Sequence, residues 1–454
     1  VGSFTTSLAP NLAALLIGWS LLEGIGAALI MPAIVALVAT NFDRPDRPRA
    51  YGLVAAAGAV AVAAGPLIGG ALTTYASWRW VFAGEVVIVA IILAMTGRMA
   101  DGESDRDARL DLGGTALSAL GLGLVVFGIL RAGAWGFVNP KPGAPVWIGL
   151  SPTIWLMLGG GLVLLVFAAW EKRRVEAGQS VLIDPTILRN PVLRGGLTAF
   201  LFQFLLQAGL FFCVPLYLSV ALGLSAVETG IRILPLSITL LLAAVGVPKI
   251  WPQASPQRVA RFGFLGLLAG IVSLMGALEL GAGPEIVTLP LLLAGLGIGA
   301  LASQLGAVTV SSVPAEQSPE VGGLQNTFTN LGASVGTALA GAILVSALTT
   351  SFFTGIQDNP AIPETLTSKA QVEFAGGIQF IPDSDLEAAL SKAGITGDTA
   401  QAIMEENSQS RIAGLRAALA ALAVLAIAAL FSTGSLPTRQ GQSDADAKVP
   451  AGLS

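Results

Sequence analysis

Long runs of apolar residues, separated by short polar or charged connections, account for most of the chain. Each run is close to the roughly 20 residues that an α-helix needs to cross the hydrocarbon core of a bilayer. A backbone group cannot stay unpaired in lipid, so runs of this length indicate membrane-spanning helices. The pattern predicts an all-α polytopic membrane protein with about 11 transmembrane helices. The expected spans are 11–38, 51–74, 78–96, 112–131, 152–170, 195–222, 227–248, 262–280, 287–312, 321–347 and 412–431.

Composition narrows the chemistry that these helices can carry. Of the 454 residues, 54% are hydrophobic and 11% are charged, against roughly a quarter charged in soluble domains. The chain has no histidine and a single cysteine, Cys213, which excludes histidine-based catalysis and a disulfide within the chain. The sequence contains no phosphate-binding loop and no nucleophile elbow. We therefore expect no enzyme, no cofactor and no metal site, and the net charge of −4 gives no basis for nucleic-acid binding.

Basic residues are distributed unevenly between the two sets of alternate loops. The loops on one side hold fourteen Lys and Arg residues, whereas the opposite short loops hold only Arg79, Arg131 and Lys141. Because basic loops stay on the cytoplasmic side, this asymmetry predicts a cytoplasmic C-terminal tail and places residues 349–410 outside. The external segment is expected to form short helices that serve either as a solvated lid or spacer or as a recognition module.

The second span carries a string of small residues. Gly58, Gly65, Gly69 and Gly70 leave a helix face without side chains, and another helix can approach such a face to backbone contact. Pro66 removes one backbone donor and is expected to bend the helix. Ordinary packing explains single pairs of this kind, but the length of the string favours a seam against which two rigid bodies pivot.

A short internal repeat relates the two parts of the chain. The sequence Gly-Ile-Gly-Ala occurs at 24–27 and again at 297–300, and the glycine that opens the next helix follows as Gly58 in one case and Gly332 in the other. Parallel repeats of a six-helix unit build two-lobed transporters, with the substrate site at their interface. By this symmetry, about three further spans are expected before residue 1.

Three motifs in order carry a resemblance to a known family. Residues 23–32 resemble the fourth helix of the major facilitator superfamily, and residues 58–70 resemble its antiporter motif in the fifth helix. Residues 77–82, Ser-Trp-Arg-Trp-Val-Phe, are similar to the sixth-helix entry of its 14-helix drug:proton antiporters of the EmrB/QacA type. The resemblance implies an N-terminally truncated member of that group, working in a bacterial cytoplasmic membrane.

The same resemblance implies the major facilitator fold, with two helical lobes and an inserted helix pair between them. Residues 1–97 would be the remainder of the N-terminal lobe (helices 4–6 of the family plan), 98–194 the inserted pair with its linkers, and 195–348 the C-terminal lobe (helices 9–13). Residues 349–410 would form the external helical loop, 411–432 the last transmembrane helix, and 433–454 a disordered cytoplasmic tail.

Two acidic residues inside the predicted spans are candidate proton carriers. An ionised carboxylate at the middle of a membrane costs roughly 2.5–3.5 kcal/mol, so Glu23 is the first candidate and Glu85 the second. Arg79, six residues before Glu85, is expected to be a gating or interface charge. A purely structural role, with Glu23 held neutral by neighbouring hydroxyls, is the alternative. The family usually has an arginine at Ser20 and an asparagine at Glu85, which leaves the coupling residue open.

Amide and aromatic side chains predict the lining of a substrate cavity. Gln203 and Gln207 are one turn apart beside Phe204, Gln304 lies in the ninth span and Trp19 in the first. Uncharged amides can bind a drug-like ligand by hydrogen bonds while aromatic rings stack on it. Hydrogen bonding between helices is an equally good explanation of the glutamines.

These residues and the resemblance predict a monomeric secondary transporter in a lipid bilayer. Its partners would be protons and a small amphipathic substrate, which it would export by proton-coupled antiport. Two alternatives stay open: an exporter of another metabolite, lipid or siderophore on the same fold, and a membrane sensor that has lost transport.

Overall fold

The computed structural model describes residues 1–42, 47–97, 111–141, 143–314, 317–367, 378 and 380–438. Within these ranges the regular structure is helical, apart from one isolated bridge between Trp147 and Leu150. Ten helical segments in the described part are long and apolar enough to cross a membrane. The helix Arg47–Tyr75, with 29 residues, adds an eleventh of sufficient length. The prediction of an all-α protein with about 11 transmembrane helices is confirmed.

We number the helices in chain order. The N-terminal group contains α1 (Gly2–Ser7), α2 (Leu12–Leu15), α3 (Gly24–Asn41), α4 (Arg47–Tyr75) and α5 (Arg79–Thr96), and is followed by α6 (Leu112–Trp135) and α7 (Pro152–Glu176). The C-terminal group contains α8 (Pro191–Pro215), α9 (Ala226–Ile250), α10 (Pro256–Ala277), α11 (Thr288–Ser311), α12 (Ser318–Asp358), α13 (Asp383–Lys392) and α14 (Asp398–Ser432). Two π-helical segments, Leu16–Glu23 and Leu216–Ala221, lie between α2 and α3 and after α8.

Local sequence explains where several of these helices begin. Ser151, Asn190 and Ser255 each precede a proline, and each side chain accepts a hydrogen bond from a backbone N–H of the first turn. Proline fits the first helical position because its missing N–H has no partner there in any case. Ser225 opens α9 with a capping box, in which Glu228 bonds back to the backbone N–H of Ser225.

The main hydrophobic core lies in the C-terminal group, among α8–α12 and α14. Glycines permit its helices to meet at backbone distance: a Cβ on Gly297 would lie 2.5 Å from the carbonyl oxygen of Gly263 in α10, and a Cβ on Gly332 would lie 2.4 Å from that of Leu201 in α8. Such contacts favour helix association in lipid, where burial of apolar surface gives no driving force. Gly24 is the counterpart of Gly297 in the sequence repeat. A Cβ on Gly24 would have nothing within 4 Å among the described residues.

Helices α6 and α7, which cover the predicted inserted pair, pack against each other, and α6 packs onto α12. A Cβ on Gly160 of α7 would lie 2.7 Å from the carbonyl oxygen of Gly121 in α6. Gly133 of α6 in turn approaches Ala342 of α12, with 3.3 Å between the Cβ position and the Cα atom. The pair therefore docks on the C-terminal group through α6.

Helices α12 and α14 are much longer than a bilayer requires, with 41 and 35 residues. At 1.5 Å per residue they measure about 60 and 50 Å, against roughly 30 Å for the hydrocarbon core. Beyond the membrane they pack with α13 around a second small core that includes Phe352, Ile356, Leu390 and Ile403. Two of the predicted boundaries, 348/349 and 410/411, thus fall inside continuous helices, and the division into six segments stays a prediction.

Some predictions fall outside the described residues. These are the disordered tail from residue 439 onward and four of the arginines that set the orientation, Arg44, Arg98, Arg106 and Arg109.

Candidate functional site

The predicted proton carrier Glu23 is the last residue of the π-helical segment Leu16–Glu23. Segments of π-helix are rare and occur frequently at functional sites, because they displace side chains from the regular helical register. In the described structure this irregular segment leads directly into α3. The predicted cavity residue Trp19 belongs to the same segment, so both candidates depend on one local departure from α-helix.

Helix α1 packs directly onto the backbone of Glu23. A Cβ on Gly2 would lie 2.5 Å from the nitrogen of Glu23 and 2.9 Å from its Cβ, so only glycine permits this approach. The hydroxyl of Ser3 forms a hydrogen bond with the Glu23 carboxyl group. Its other oxygen, Oε2, is buried and has no protein partner.

Glu85 of α5 lies close enough to Glu23 for their charges to repel each other. Helix α1 contacts both the π-helical segment and α5, and so holds the two carboxyl groups in one region. We call Glu23 and Glu85 the acid pair. Two neighbouring carboxyl groups in a medium of low dielectric constant cannot both be ionised at low cost, so the pair can hold a proton.

Arg79, at the start of α5, is bound to the segment that follows α1. Its Nη2 donates to the carbonyl oxygen of Ala9 at 2.7 Å, and its guanidinium lies 4.6 Å from the ring centroid of Trp78. These contacts give Arg79 an anchoring position at the end of α5. Trp19, which is 53% exposed, packs edge-to-face on Phe82 of α5 at 5.7 Å.

One face of α8 carries the aromatic and amide residues expected in the cavity. At 100° per residue, Phe200, Phe204, Gln207 and Phe211 lie on the same side of the helix. This side falls between the face of Gly196, which contacts α11, and the face of Leu201 and Leu205, which contacts α12. All four side chains are half-buried, and the rings of Phe200 and Phe204 are stacked at 6.3 Å. We call these four residues the α8 aromatic face.

Of the two other predicted glutamines, Gln203 lies beside the α8 aromatic face and Gln304 lies on another helix, α11. Gln203 is 2% exposed and lies seven residues after Gly196, so it is on the face toward α11, and its Oε1 has no protein partner. Gln304 shares its α11 face with Gly297 and Leu301, which both contact Gly263 of α10. The structure therefore separates Gln304 from the α8 aromatic face, and its place in a cavity stays a prediction.

Gly70 of the glycine string, with Pro66 beside it, contacts the C-terminal group through α9. A Cβ on Gly70 would lie 2.5 Å from the carbonyl oxygen of Ala226, and a Cβ on Gly230 would lie 2.4 Å from that of Pro66. Nearby, the Thr74 hydroxyl accepts a hydrogen bond from the backbone N–H of Val227 at 3.0 Å. We call this contact of α4 with α9 the seam. The remaining glycines of the string, Gly58, Gly65 and Gly69, have nothing within 4 Å of their Cβ positions among the described residues.

Sequence patterns did not identify the partners of the seam. Gly230 is a lone glycine among larger residues, and Thr74 is the last residue of a predicted span. Nor did they identify Arg411, whose side chain is 3% exposed and forms an ion pair with Asp383, where α12 and α14 extend past the predicted spans. A basic residue directly before an apolar span was the one available signal, and it does not distinguish burial from exposure.

A sequence model of the major facilitator superfamily matches residues 1–337, about three quarters of the chain. The chain belongs to the major facilitator superfamily. Membership in this family of transporters confirms the predicted fold class, the multi-pass membrane location and the expectation that the chain is not an enzyme.

Several relatives in this superfamily are named for resistance or export. The tetracenomycin C resistance and export protein of Streptomyces glaucescens is 29% identical over 355 residues, 76% of this chain and 62% of that protein. The puromycin resistance protein of Streptomyces alboniger is 30% identical over 337 residues, 72% of this chain and 63% of that protein. The chain thus spans less than two thirds of the length of either relative.

Among solved structures, a bacterial homologue of the human lysosomal transporter Spinster, in an inward-facing and occupied conformation, superposes with a TM-score of 0.51. The match covers 97% of this chain and 82% of that one, at 18% sequence identity. This likeness concerns the fold alone.

Proposed function

We propose that this major facilitator protein exports small amphipathic molecules in exchange for protons, as a monomer of the 14-helix EmrB/QacA type in the cytoplasmic membrane. The acid pair carries this proposal. Glu23 and Glu85 come from separate helices, lie inside membrane spans and are near enough to interact electrostatically. Intramembrane ionisable residues commonly mark proton relays in transporters.

The acid pair would work by holding one proton in one state of the transporter and releasing it in the other. With a proton bound, one carboxyl is neutral and the repulsion between the two is removed. Without it, the pair carries extra negative charge that either a cationic substrate or water must stabilise. Substrate and proton would then compete for the same state, which is the requirement for exchange.

The α8 aromatic face supplies the surface for an amphipathic ligand. Stacked rings at 200 and 204 offer apolar contact, and Gln207 offers hydrogen-bond donors and an acceptor. The relatives named for tetracenomycin C export and puromycin resistance support a drug-like substrate class. Trp19, at the π-helical segment, would contribute from the N-terminal group.

Closure at the seam supports alternating access. The excess of basic residues on the other set of loops favours an external position for the seam and a cytoplasmic C-terminus. A seam closed on the external side would leave access from the cytoplasm. Rocking of the two groups about the seam would open the opposite side.

The deciding experiment is transport by the full-length protein in proteoliposomes. Glu23→Gln and Glu85→Gln are each compared with wild type in two assays: efflux driven by a pH gradient, and substrate exchange without net proton movement. We expect each variant to lose most of the gradient-driven efflux while retaining exchange, because the carboxyl group that is left has no charged neighbour to control its proton, whereas substrate can still bind.

Glu279→Gln is the matched control, because Glu279 is exposed at the end of a span. It should behave like wild type in both assays. Unchanged gradient-driven efflux in both acid-pair variants would remove the acid pair from the mechanism. Loss of exchange as well as efflux would point to a structural role for these acids.

A further inference from the structure

A second buried cluster of charged side chains lies at one end of the α6–α7 pair. Asp111 caps α6 and accepts a hydrogen bond from the backbone N–H of Gly114 at 2.9 Å. From α7, Trp170 Nε1 donates to Asp111 Oδ2 at 3.1 Å, and Arg174 Nε pairs with the same oxygen at 3.2 Å. The Asp111 side chain is 2% exposed, so these donors fix a carboxylate that water hardly reaches.

Glu171 faces Asp111 across a glycine. It is completely buried; its Oε2 accepts a hydrogen bond from the backbone N–H of Leu182 at 3.0 Å, and no donor reaches its Oε1. The point that a Cβ on Gly114 would occupy lies 2.1 Å from Glu171 Oε1 and 2.6 Å from Asp111 Oδ2. The two carboxyl groups are within hydrogen-bonding reach of each other, and such a bond requires a proton on one of them.

The donors decide which carboxyl group carries that proton. Burial alone would raise the pKa of Asp111, but hydrogen bonds from Gly114, Trp170 and Glu171 and the charge of Arg174 together lower it. Glu171 accepts from the backbone of Leu182 and Ile183 and has no cation of its own, so its Oε1, which no donor reaches, is the position from which an O–H can donate to Asp111. We propose that Asp111 and Glu171 form a proton-binding site, ionised at Asp111 and protonated at Glu171, distinct from the acid pair.

The charged groups around this site come from each element packed against it. Among the described residues, Arg174 is the cation in contact with it, and 21% of that side chain is exposed, which gives solvent a route to the cluster. Asp184 of the α7–α8 connection has its backbone N–H bound to Glu320 of α12 at 3.4 Å. Lys172 and Glu176 pair with each other on the exposed side of α7. The charged residues of 98–110, just before α6, lie outside the described part.

The site also holds the connection that joins α7 to α8. Glu171 binds Leu182, and Arg174 Nη2 donates to the carbonyl oxygen of Ser180 at 2.7 Å. Further along, Asn190 Nδ2 donates to the carbonyl oxygen of Ser312 at the end of α11 at 2.7 Å. Loss of the proton would place a second negative charge beside Asp111, with one guanidinium for both. Withdrawal of the ionised Glu171 carboxylate toward solvent relieves that repulsion and breaks its hydrogen bond with Leu182, so the proton keeps the connection docked.

Amide hydrogen exchange tests this directly in the full chain in detergent or nanodiscs. The measured quantity is the protection of the peptide that covers residues 180–184, from about pH 6 to about pH 9, corrected for intrinsic exchange. We expect the wild-type protection factor to fall roughly tenfold across this range. A tenfold change in this factor corresponds to the free energy of one pKa unit. Glu171→Gln, which stays neutral and can still donate to Asp111, should keep its protection throughout.

Glu176→Gln is the matched control on the same helix, and it should follow wild type. Asp111→Asn is the second variant: without the charge on Asp111, loss of the Glu171 proton causes no repulsion, so the pH dependence of the 180–184 peptide should disappear there too. Wild-type protection that does not change with pH, or a wild-type pH dependence in either Glu171→Gln or Asp111→Asn, would overturn the proposal. The readout is independent of transport and of the acid pair.

Discussion

The carbonyl oxygen of Pro66 in α4 lies 2.4 Å from the point that a Cβ on Gly230 of α9 would occupy. A real Cβ does not approach a carbonyl oxygen so closely, so the contact requires glycine at position 230. The same holds in reverse one turn further along α4, where Gly70 faces the carbonyl oxygen of Ala226 at 2.5 Å. Each helix thus contributes one glycine that receives the backbone of the other.

Alanine at either glycine should force the two helices apart at the seam. An added methyl group in a closed contact costs about 1–3 kcal/mol, since the backbone itself must move. We expect Gly230→Ala and Gly70→Ala to destabilise the closed seam and to slow transport by the full-length protein. Spin labels at the seam ends of α4 and α9 should report a longer distance than in wild type, and the buried native Cys213 does not compete for label.

Gly58→Ala is the matched control on the same helix, because its Cβ position is open and the residue is exposed. The label distance and the transport rate should stay at wild-type values. An equal response to Gly58→Ala and Gly230→Ala would mean that helix propensity, not contact at the seam, governs the effect.

The seam illustrates what a single sequence can and cannot predict. The glycine string marks α4 as a close-packing helix because a smooth face is a local property of one segment. The partner is a tertiary property, and nothing around Gly230 distinguishes it from other lone glycines. Likewise, hydropathy placed Glu23 and Glu85 inside the membrane, but their approach depends on Gly2 of α1, where a side chain would collide with Glu23.

Helix length was underestimated for a different reason. Hydropathy measures compatibility with lipid, so predicted spans end where the sequence becomes polar. Helices α12 and α14 continue past that point because their polar extensions bury Phe352, Ile356 and Ile403 in a small core of their own. Amphipathic extensions of this kind carry too few apolar residues to register in a window the length of a membrane span.

Arg411 should stabilise the packing of α13 against α14. Its guanidinium donates to the Asp383 carboxylate at 2.5 Å, to the Ile381 carbonyl oxygen at 3.0 Å and to the Ser408 hydroxyl at 3.0 Å. Arg411→Met removes these bonds, and the Asp383 side chain, 45% exposed, regains water. We expect a loss of roughly 2 kcal/mol in the free energy of unfolding, the range of hydrogen bonds to charged groups.

Thermal unfolding in the presence of a thiol-reactive dye measures this loss, because Cys213 is buried and reacts only when the helices separate. Arg416→Met is the matched control one turn and a residue further along α14, where the side chain is exposed. It should shift the transition very little. Equal shifts for the two variants would show that the charge at the helix entry matters and the contacts of Arg411 do not.

Asp111 should make the protein more sensitive to acid. Hydrogen bonds and Arg174 hold the pKa of Asp111 below its ordinary value despite burial. Between this lowered pKa and the ordinary value of about 4, the folded state binds fewer protons than the unfolded state. The stabilisation from ionised Asp111 is therefore complete above about pH 4 and is lost as the pH falls through the lowered pKa. Asp111→Asn should lower the unfolding temperature at neutral pH, and its difference from wild type should shrink below about pH 4.

Asp358→Asn, at an exposed position, is the control and should leave the pH profile of the unfolding temperature unchanged. A difference between Asp111→Asn and wild type that stays constant with pH would contradict the argument.

Ile148 stores strain in the loop between α6 and α7. Its φ of 49° lies in the left-handed region, where a β-branched residue is disfavoured by about 1–2 kcal/mol, and 86% of the residue is exposed. The Trp147–Leu150 bridge and the hydrogen bond from Trp155 Nε1 to the carbonyl oxygen of Trp147 at 2.8 Å hold it there.

Asparagine tolerates this conformation better than isoleucine. Ile148→Asn should therefore slow amide exchange at Trp147 and Leu150 about five- to tenfold in detergent, because opening the loop no longer relieves strain. Ile148→Val, also β-branched, should match wild type; faster exchange in the Asn variant would show that the isoleucine side chain itself, and not its backbone, secures the loop.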